Sequence, residues 1–243
     1  MNKKTRVHQG YCQLCNQFGS LTFEHVPPKA AFNDHLVYMQ GHEELVEEKS
    51  FRYGKHKKSH RGFGGYTLCA QCNNKTGDWY APAFVSFAKQ GMEHFNDFEI
   101  SENKFEAEYV LKPLNVLKQI LTMFMSADKG KQLSSEKELV DFLLNKESSS
   151  LPSKFKVYLY TTLSKHKRMI GPCVVYDPEL GIQKWSEINF QPFGYLLADD
   201  SFPAHPDMVD ISSFSNYKYN QRAVIALVLP YLHIETPQIG FYG

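Results

Sequence analysis

No apolar run in this 243-residue chain is long enough to cross a bilayer: the longest, AVIALVLPYL at 223–232, falls well short of the ~18–20 residues required. The start, MNKKTRVHQGYCQLC, is basic but has no apolar stretch behind it. A secretory leader is therefore not expected, and the expected compartment is the cytoplasm. Cysteine is scarce, five in all, and structural disulfides are rare in that compartment. Internal repeats, a phosphate-binding glycine loop and a nucleophile triad are also missing. A large net charge is absent as well, the formal value being +1. That near-neutrality conceals an asymmetry, since residues 1–80 carry a balance of +4 and residues 81–243 one of −3. Six of the ten histidines also lie in the first 80 residues, so this segment is the one suited to meeting an anion.

Four of the five cysteines form two Cys-x-x-Cys pairs, Cys12/Cys15 in CQLC and Cys69/Cys72 in CAQC. Two residues between thiolates suit a tight knuckle, and two knuckles complete a tetrahedral four-sulfur shell around one Zn²⁺ with no position left for substrate. Such an ion is structural, and its binding energy contributes directly to folding. Two separate redox motifs are the competing reading, but neither pair starts a helix after a thioredoxin-like strand. Cys173, in MIGPCVVY, reads as a buried apolar thiol. Between the pairs lies SLTFEHV, strand-like in pattern, with FGS before it as a turn signal that would fold a short hairpin. After CAQC, NNKTGDWYAPAFVSFAKQ reads as a helix starting near Cys72–Asn73. One zinc clamping hairpin and helix would bring Glu24, His25 and Asn73 to a common cleft, with Pro27 and Pro28 stiffening the exit.

In order, C-x2-C, E-H-V-x-P and L-C-x2-C-N-x-K resemble the HNH endonucleases of the ββα-metal type. The likeness is to the zinc-knuckled branch that includes phage recombination endonuclease VII, and it covers about residues 10–80. It implies the four cysteines as structural zinc ligands, Glu24 and Asn73 as ligands of a catalytic Mg²⁺ or Mn²⁺, and His25 as general base. It implies cleavage of nucleic acid, DNA ahead of RNA. Three departures stand out. The acid is Glu rather than Asp, the middle Asn before the second knuckle is missing, and 43 residues separate His25 from Cys69. The missing Asn leaves His25 to be oriented by a backbone carbonyl or another side chain. It also motivates a second reading, a catalytically silent zinc module that binds nucleic acid or protein. A third makes the chain a bacterial defence or toxin effector.

The insertion, about residues 30–65, divides by charge. HEELVEEK is acidic, helical or solvated. FRYGKHKKSHRGFGGY sets Arg52, Lys55, Lys57, Lys58 and Arg61 among Phe51, Tyr53, Phe63 and Tyr66. Cations there would engage phosphates and rings would stack on bases; a mobile polar loop without a partner is the equal alternative. His56 and His60 suit a phosphate role or none. Lys75, near the helix start, is either a phosphate contact or a solvated lysine.

The expected fold class is α+β: a zinc-stabilised ββα module at 1–80, then an 81–243 region of helices and antiparallel sheet. Trp79, Tyr80, Phe84 and Phe87 form a packing face, KFEAEYVL alternates as a strand, and KPLNVLKQILTMFMSAD is a helix with Pro113 in its first turn. A second helix, about 136–145, would open with the capping box Ser135-x-x-Glu138. NKESSSLPS at 145–153 reads as a linker or long loop. Beyond it come KFKVYLYTT, a hairpin of RMIGPCVVY and IQKWSEINF around DPELG, then FGYLLA and AVIALVLPYL. Asp199, Asp200 and His205 make a turn or a secondary polar site. Residues 81–243 would serve self-association or a protein partner.

Overall fold

The computed structural model describes residues 7–96, 104–162, 164, 166–179, 181–202 and 208–232; His205 lies outside them. In chain order the elements are β1 (His8–Tyr11), β2 (Phe18–His25), β3 (Val37–Met39), α1 (His42–Val46), β4 (Lys57–Ser59), β5 (Gly64–Cys69) and α2 (Ala70–Asn96). There follow β6 (Lys104–Leu111), α3 (Pro113–Ala127), α4 (Lys137–Leu144), β7 (Phe155–Thr161), β8 (Arg168–Asp177), β9 (Gly181–Phe190), β10 (Phe193–Asp199), β11 (Val209–Asp210) and β12 (Ala223–Pro230). The chain is α+β, with antiparallel pairing throughout its named strands. No helix among the described residues is long and apolar enough to cross a membrane.

All fifteen residues of α3 are buried, polar ones included, so this helix is the axis on which the rest packs. Three of its polar side chains, Asn115, Lys118 and Thr122, have specific partners. Asn115 donates to the Trp79 carbonyl at 2.8 Å and accepts from the Asn220 N–H at 2.9 Å. The core cluster around α3 runs from Cys12, Leu14, Leu68 and Cys72 through Phe84, Phe87, Leu114 and Leu117 to Leu159 and Tyr195. A boundary at residue 80 therefore falls inside α2, and side chains from both segments share one core.

The main sheet has the order β11-β7-β10-β9-β8. The hairpin at DPELG forms as the pattern anticipates, Asp177 pairing with Gly181. Two expectations need correction. AVIALVLPYL does not pair along this sheet: β12 pairs with β6 as a separate two-stranded ladder, Ala223 opposite Leu111 and Pro230 opposite Lys104, and only its end meets β7, Leu232 N–H donating to the Thr161 carbonyl at 3.0 Å. The capping box does not form either. The N-cap of α4 is Glu136, while Ser135 closes a short 3-10 turn and donates its hydroxyl to the Lys131 carbonyl at 2.8 Å. Residues 145–153 carry no regular element, in keeping with the loop reading.

Lys118 on α3 is fully buried. Its ammonium donates to the carbonyls of Asn145 at 2.8 Å and Lys146 at 3.3 Å, and lies 4.2 Å from the Phe142 ring centroid. Burial pulls its pKa down to about 7, opposed by the Glu147 carboxylate. Below about pH 7 both folded and unfolded chains hold the proton, and the folded one bears the burial cost. Between there and the ordinary lysine range only the unfolded chain holds it, so raising the pH favours folding. In urea unfolding, wild type is expected to gain stability relative to Lys118→Met from pH 7 to pH 10; a pH-independent difference would contradict the burial cost.

Candidate functional site

The first knuckle is the turn of the β1–β2 hairpin. Tyr11 pairs with Phe18, and the chain between them closes with Asn16 N–H to Cys12 carbonyl at 2.8 Å and Cys12 N–H to Gln17 carbonyl at 2.9 Å. The expected turn at FGS is thus displaced: Phe18, Gly19 and Ser20 are already strand, and the cysteine loop makes the reversal. The second knuckle joins β5, ending at Cys69, to the first turn of α2, which holds Cys72 and Asn73. The Gln13 N–H donates to the Thr67 carbonyl at 2.9 Å and ties the two loops together.

All four sulfurs lie within 4.8 Å of one another, and Cys15 Sγ is 3.9 Å from Cys69 Sγ. Four thiolates ~2.3 Å from a zinc ion in a tetrahedron would stand about 3.8 Å apart, so the donor set and its spacing fit one zinc. Hydrogen bonding from the Cys72 side chain drives the Cys12 thiol toward thiolate, and the same contact drives Cys72 the other way. Burial raises Cys15. Without a cation, this cluster favours only partial ionisation. A metal such as Zn²⁺ would favour the remaining thiolates.

Next to this cluster, Asn73 is anchored to β2. Its amide nitrogen donates to Thr22 Oγ1 at 2.9 Å, with the Phe23 carbonyl 3.5 Å away, and Thr22 in turn donates to the Leu68 carbonyl at 2.9 Å. Alternation along β2 puts Glu24 on the Thr22 face, the face α2 meets through Asn73. Glu24 is 8% exposed. Its carboxyl makes no hydrogen bond among the described residues, and burial pushes its pKa up to about 8. Its oxygens and the Asn73 carbonyl oxygen are the donors a hard divalent ion takes.

His25 is the last residue of β2, on the opposite face with Phe23, their ring centroids 4.9 Å apart. Burial first, then the Lys29 and Arg61 charges, hold its pKa below the ordinary value, while a backbone hydrogen bond with Arg61 raises it. The sign of that contribution fits an imidazole N–H donating to the Arg61 carbonyl. The structure thus brings Glu24 and Asn73 to one side of the strand and His25 to the other, at the strand's end. No direct contact joins His25 to either residue among the described residues.

A residue that sequence reasoning missed holds this end together. Asn33 is fully buried. Its amide nitrogen donates to the Pro27 carbonyl at 2.7 Å and the Phe63 carbonyl at 2.8 Å, and its side-chain oxygen accepts from the Phe63 N–H at 2.7 Å. The Phe63 carbonyl also accepts from Val26 N–H at 3.0 Å. Asn33 therefore links the segment leaving His25 to the segment bearing Arg61. Gly64 completes the close approach. With φ of +155° it faces the Glu24 backbone, and a Cβ there would overlap the Glu24 carbonyl oxygen. Replacing Asn33 by Ala removes three hydrogen bonds and leaves the Pro27 carbonyl and the Phe63 N–H without this partner, and is expected to cost about 2–4 kcal/mol in urea unfolding. Zinc content should stay unchanged; a loss under 1 kcal/mol would contradict the brace.

The basic insertion is partly committed. Arg52 is ion-paired with Glu43 at 3.5 Å and with Glu44, both on α1. Lys57 and Lys58 are exposed on β4, which pairs with β3, so the segment expected as a mobile loop contributes one strand to a two-stranded ladder. Lys55 lies 4.9 Å from the centroid of Phe51, itself 81% exposed. Arg61 and Lys75 are exposed. On the main sheet, Cys173 is half-buried rather than core, donating to the Trp185 carbonyl at 3.3 Å, and burial pushes its pKa up to about 11. Asp199 caps a turn through the Ser201 N–H at 3.0 Å.

No protein-family model matches this chain, and comparison with curated proteins and with solved structures finds no match.

Proposed function

We propose that the chain is a metal-dependent endonuclease of the HNH type that hydrolyses phosphodiester bonds, DNA ahead of RNA. The observation that carries this reading is the buried, unpartnered Glu24 carboxyl on the strand face that Asn73 also occupies. Glu24 and Asn73 would hold Mg²⁺ or Mn²⁺, which when bound supplies Lewis-acid polarisation of the phosphoryl oxygens and of the departing 3′ oxygen. The protein's own part falls to four groups. His25 takes the proton of the attacking water, the Arg61 carbonyl holds the imidazole in one orientation, and Lys29 and Arg61 offer charge to the phosphate. The zinc supports the strands and helix that carry these groups and takes no part in the chemistry.

The second reading, a zinc module that binds without cutting, draws on the placement of His25 opposite Asn73. Plasmid digestion with Mg²⁺ or Mn²⁺ by wild type and His25→Ala separates the two. The nuclease reading expects cleavage that the substitution abolishes; no cleavage of plasmid or of single-stranded DNA with either ion supports the silent module.

A further inference from the structure

Four rings form a row on the His25 face of the three-stranded sheet β1-β2-β5. His8 stacks on Tyr66, centroids 3.6 Å apart and planes 13° from parallel. Tyr66 meets Phe23 edge-on at 5.5 Å, and Phe23 meets His25 edge-on at 4.9 Å. The register explains the row, because Phe23 pairs with Tyr66 and the neighbouring pair, His8 with Leu21, shares its face. All four rings are half-buried, so each keeps part of its surface open to solvent.

The charge that the structure places against these rings is positive. Arg61 is exposed, donates from Nη1 to the Tyr66 hydroxyl at 3.1 Å, and sets its guanidinium carbon 5.7 Å from the Phe23 centroid. Lys29 acts on His25 from nearby, and Lys57 and Lys58 are exposed on β4, the strand that precedes Arg61 in the chain. Glu24, the one acid in the three strands, is on the other face.

We propose that this row is a stacking platform for unpaired bases, so that the protein's substrate is a single strand of nucleic acid whose bases lie on His8, Tyr66 and Phe23 beside His25. The identification as substrate, not the binding itself, rests on the nuclease reading above. Aromatic faces and cations on one surface are what an unpaired strand needs, with rings for the bases and Arg61 for the phosphates. A duplex offers its bases only at groove edges. Stacking on a ring requires a free base face, so such a surface selects bases already unpaired.

The test uses the full-length, zinc-loaded protein without added divalent ion. Binding of a 12-nucleotide oligo(dT), oligo(rU) and a 12-base-pair DNA duplex is followed by fluorescence anisotropy. Wild type is expected to bind a single strand at least tenfold more tightly than the duplex, and comparison of the two oligonucleotides tells DNA from RNA. Tyr66→Leu and His8→Ala are each expected to weaken single-strand binding by about tenfold and to leave duplex binding unchanged. Tyr66→Phe, which keeps the ring, is expected to retain affinity within about twofold. Duplex binding as tight as single-strand binding would overturn the platform. So would Tyr66→Leu and His8→Ala variants that keep wild-type zinc content and wild-type affinity. Plasmid nicking that depends on His25 but not on Tyr66 or His8 would sink the platform and leave the nuclease standing. Ring-dependent single-strand binding with no cleavage under Mg²⁺ or Mn²⁺ would do the reverse.

Discussion

Cys72→Ser is expected to lose stoichiometric zinc and to destabilise the end of the molecule where β1, β2, β5 and the start of α2 meet. A serine hydroxyl is a poor ligand, and the other three sulfurs do not close a tetrahedral shell. The consequence is structural because these cysteines belong to the core: Cys12, Leu14 and Leu68 are fully buried and Cys72 nearly so. Isolated zinc-finger peptides owe ~10–16 kcal/mol of apparent stability to the ion. This chain keeps the core around α3 without it, so a smaller loss is expected, on the order of 5 kcal/mol, concentrated in residues 8–73. Elemental analysis should fall from one zinc per chain to near none, and limited proteolysis should open the knuckle region first. Cys173→Ser, remote in sequence and half-buried on β8, should change neither.

His25→Ala carries the second large effect. Removing a general base from a hydrolase lowers the rate by ~10²–10⁴-fold. Here the fold should survive the change, because the imidazole is only partly buried and packs on Phe23 and the Arg61 backbone rather than in the core. The expected result is a rate lower by two orders of magnitude or more in plasmid nicking, with zinc content and unfolding midpoint at wild-type values. Equal nicking by the two proteins would reject His25 as the base. A parallel loss of zinc would instead make it a structural residue.

What was legible in the sequence was what is local. The two Cys-x-x-Cys spacings announce their knuckles because a thiolate pair two residues apart needs only one tight turn. The adjacent acid and histidine sit in an alternating segment, so their strand was readable too, as were the DPELG hairpin and Pro113 at the start of α3. Asn33 was not legible, since its hydrogen bonds join Pro27 to Phe63, and nothing near position 33 signals a brace. Lys118 reads as an ordinary solvated lysine beside an apolar stripe, yet α3 is buried on every side and the ammonium ends on the carbonyls of a loop 27 residues away. The Ser135-x-x-Glu138 pattern failed for a local reason. The 3-10 turn Leu133–Ser135 commits that serine to the Lys131 carbonyl, and Asp128 takes the Leu133 N–H at 2.6 Å. β12 was recognisable as a strand but not as the partner of β6, because a strand's pattern names its buried face and not its neighbour.

The account turns on four sulfurs sharing one ion, and X-ray absorption at the zinc edge on freshly purified, folded protein tests it most directly. The prediction is one zinc per chain with four sulfur neighbours at ~2.3 Å. Folded protein without stoichiometric metal, or zinc bound mainly through nitrogen and oxygen, would contradict it.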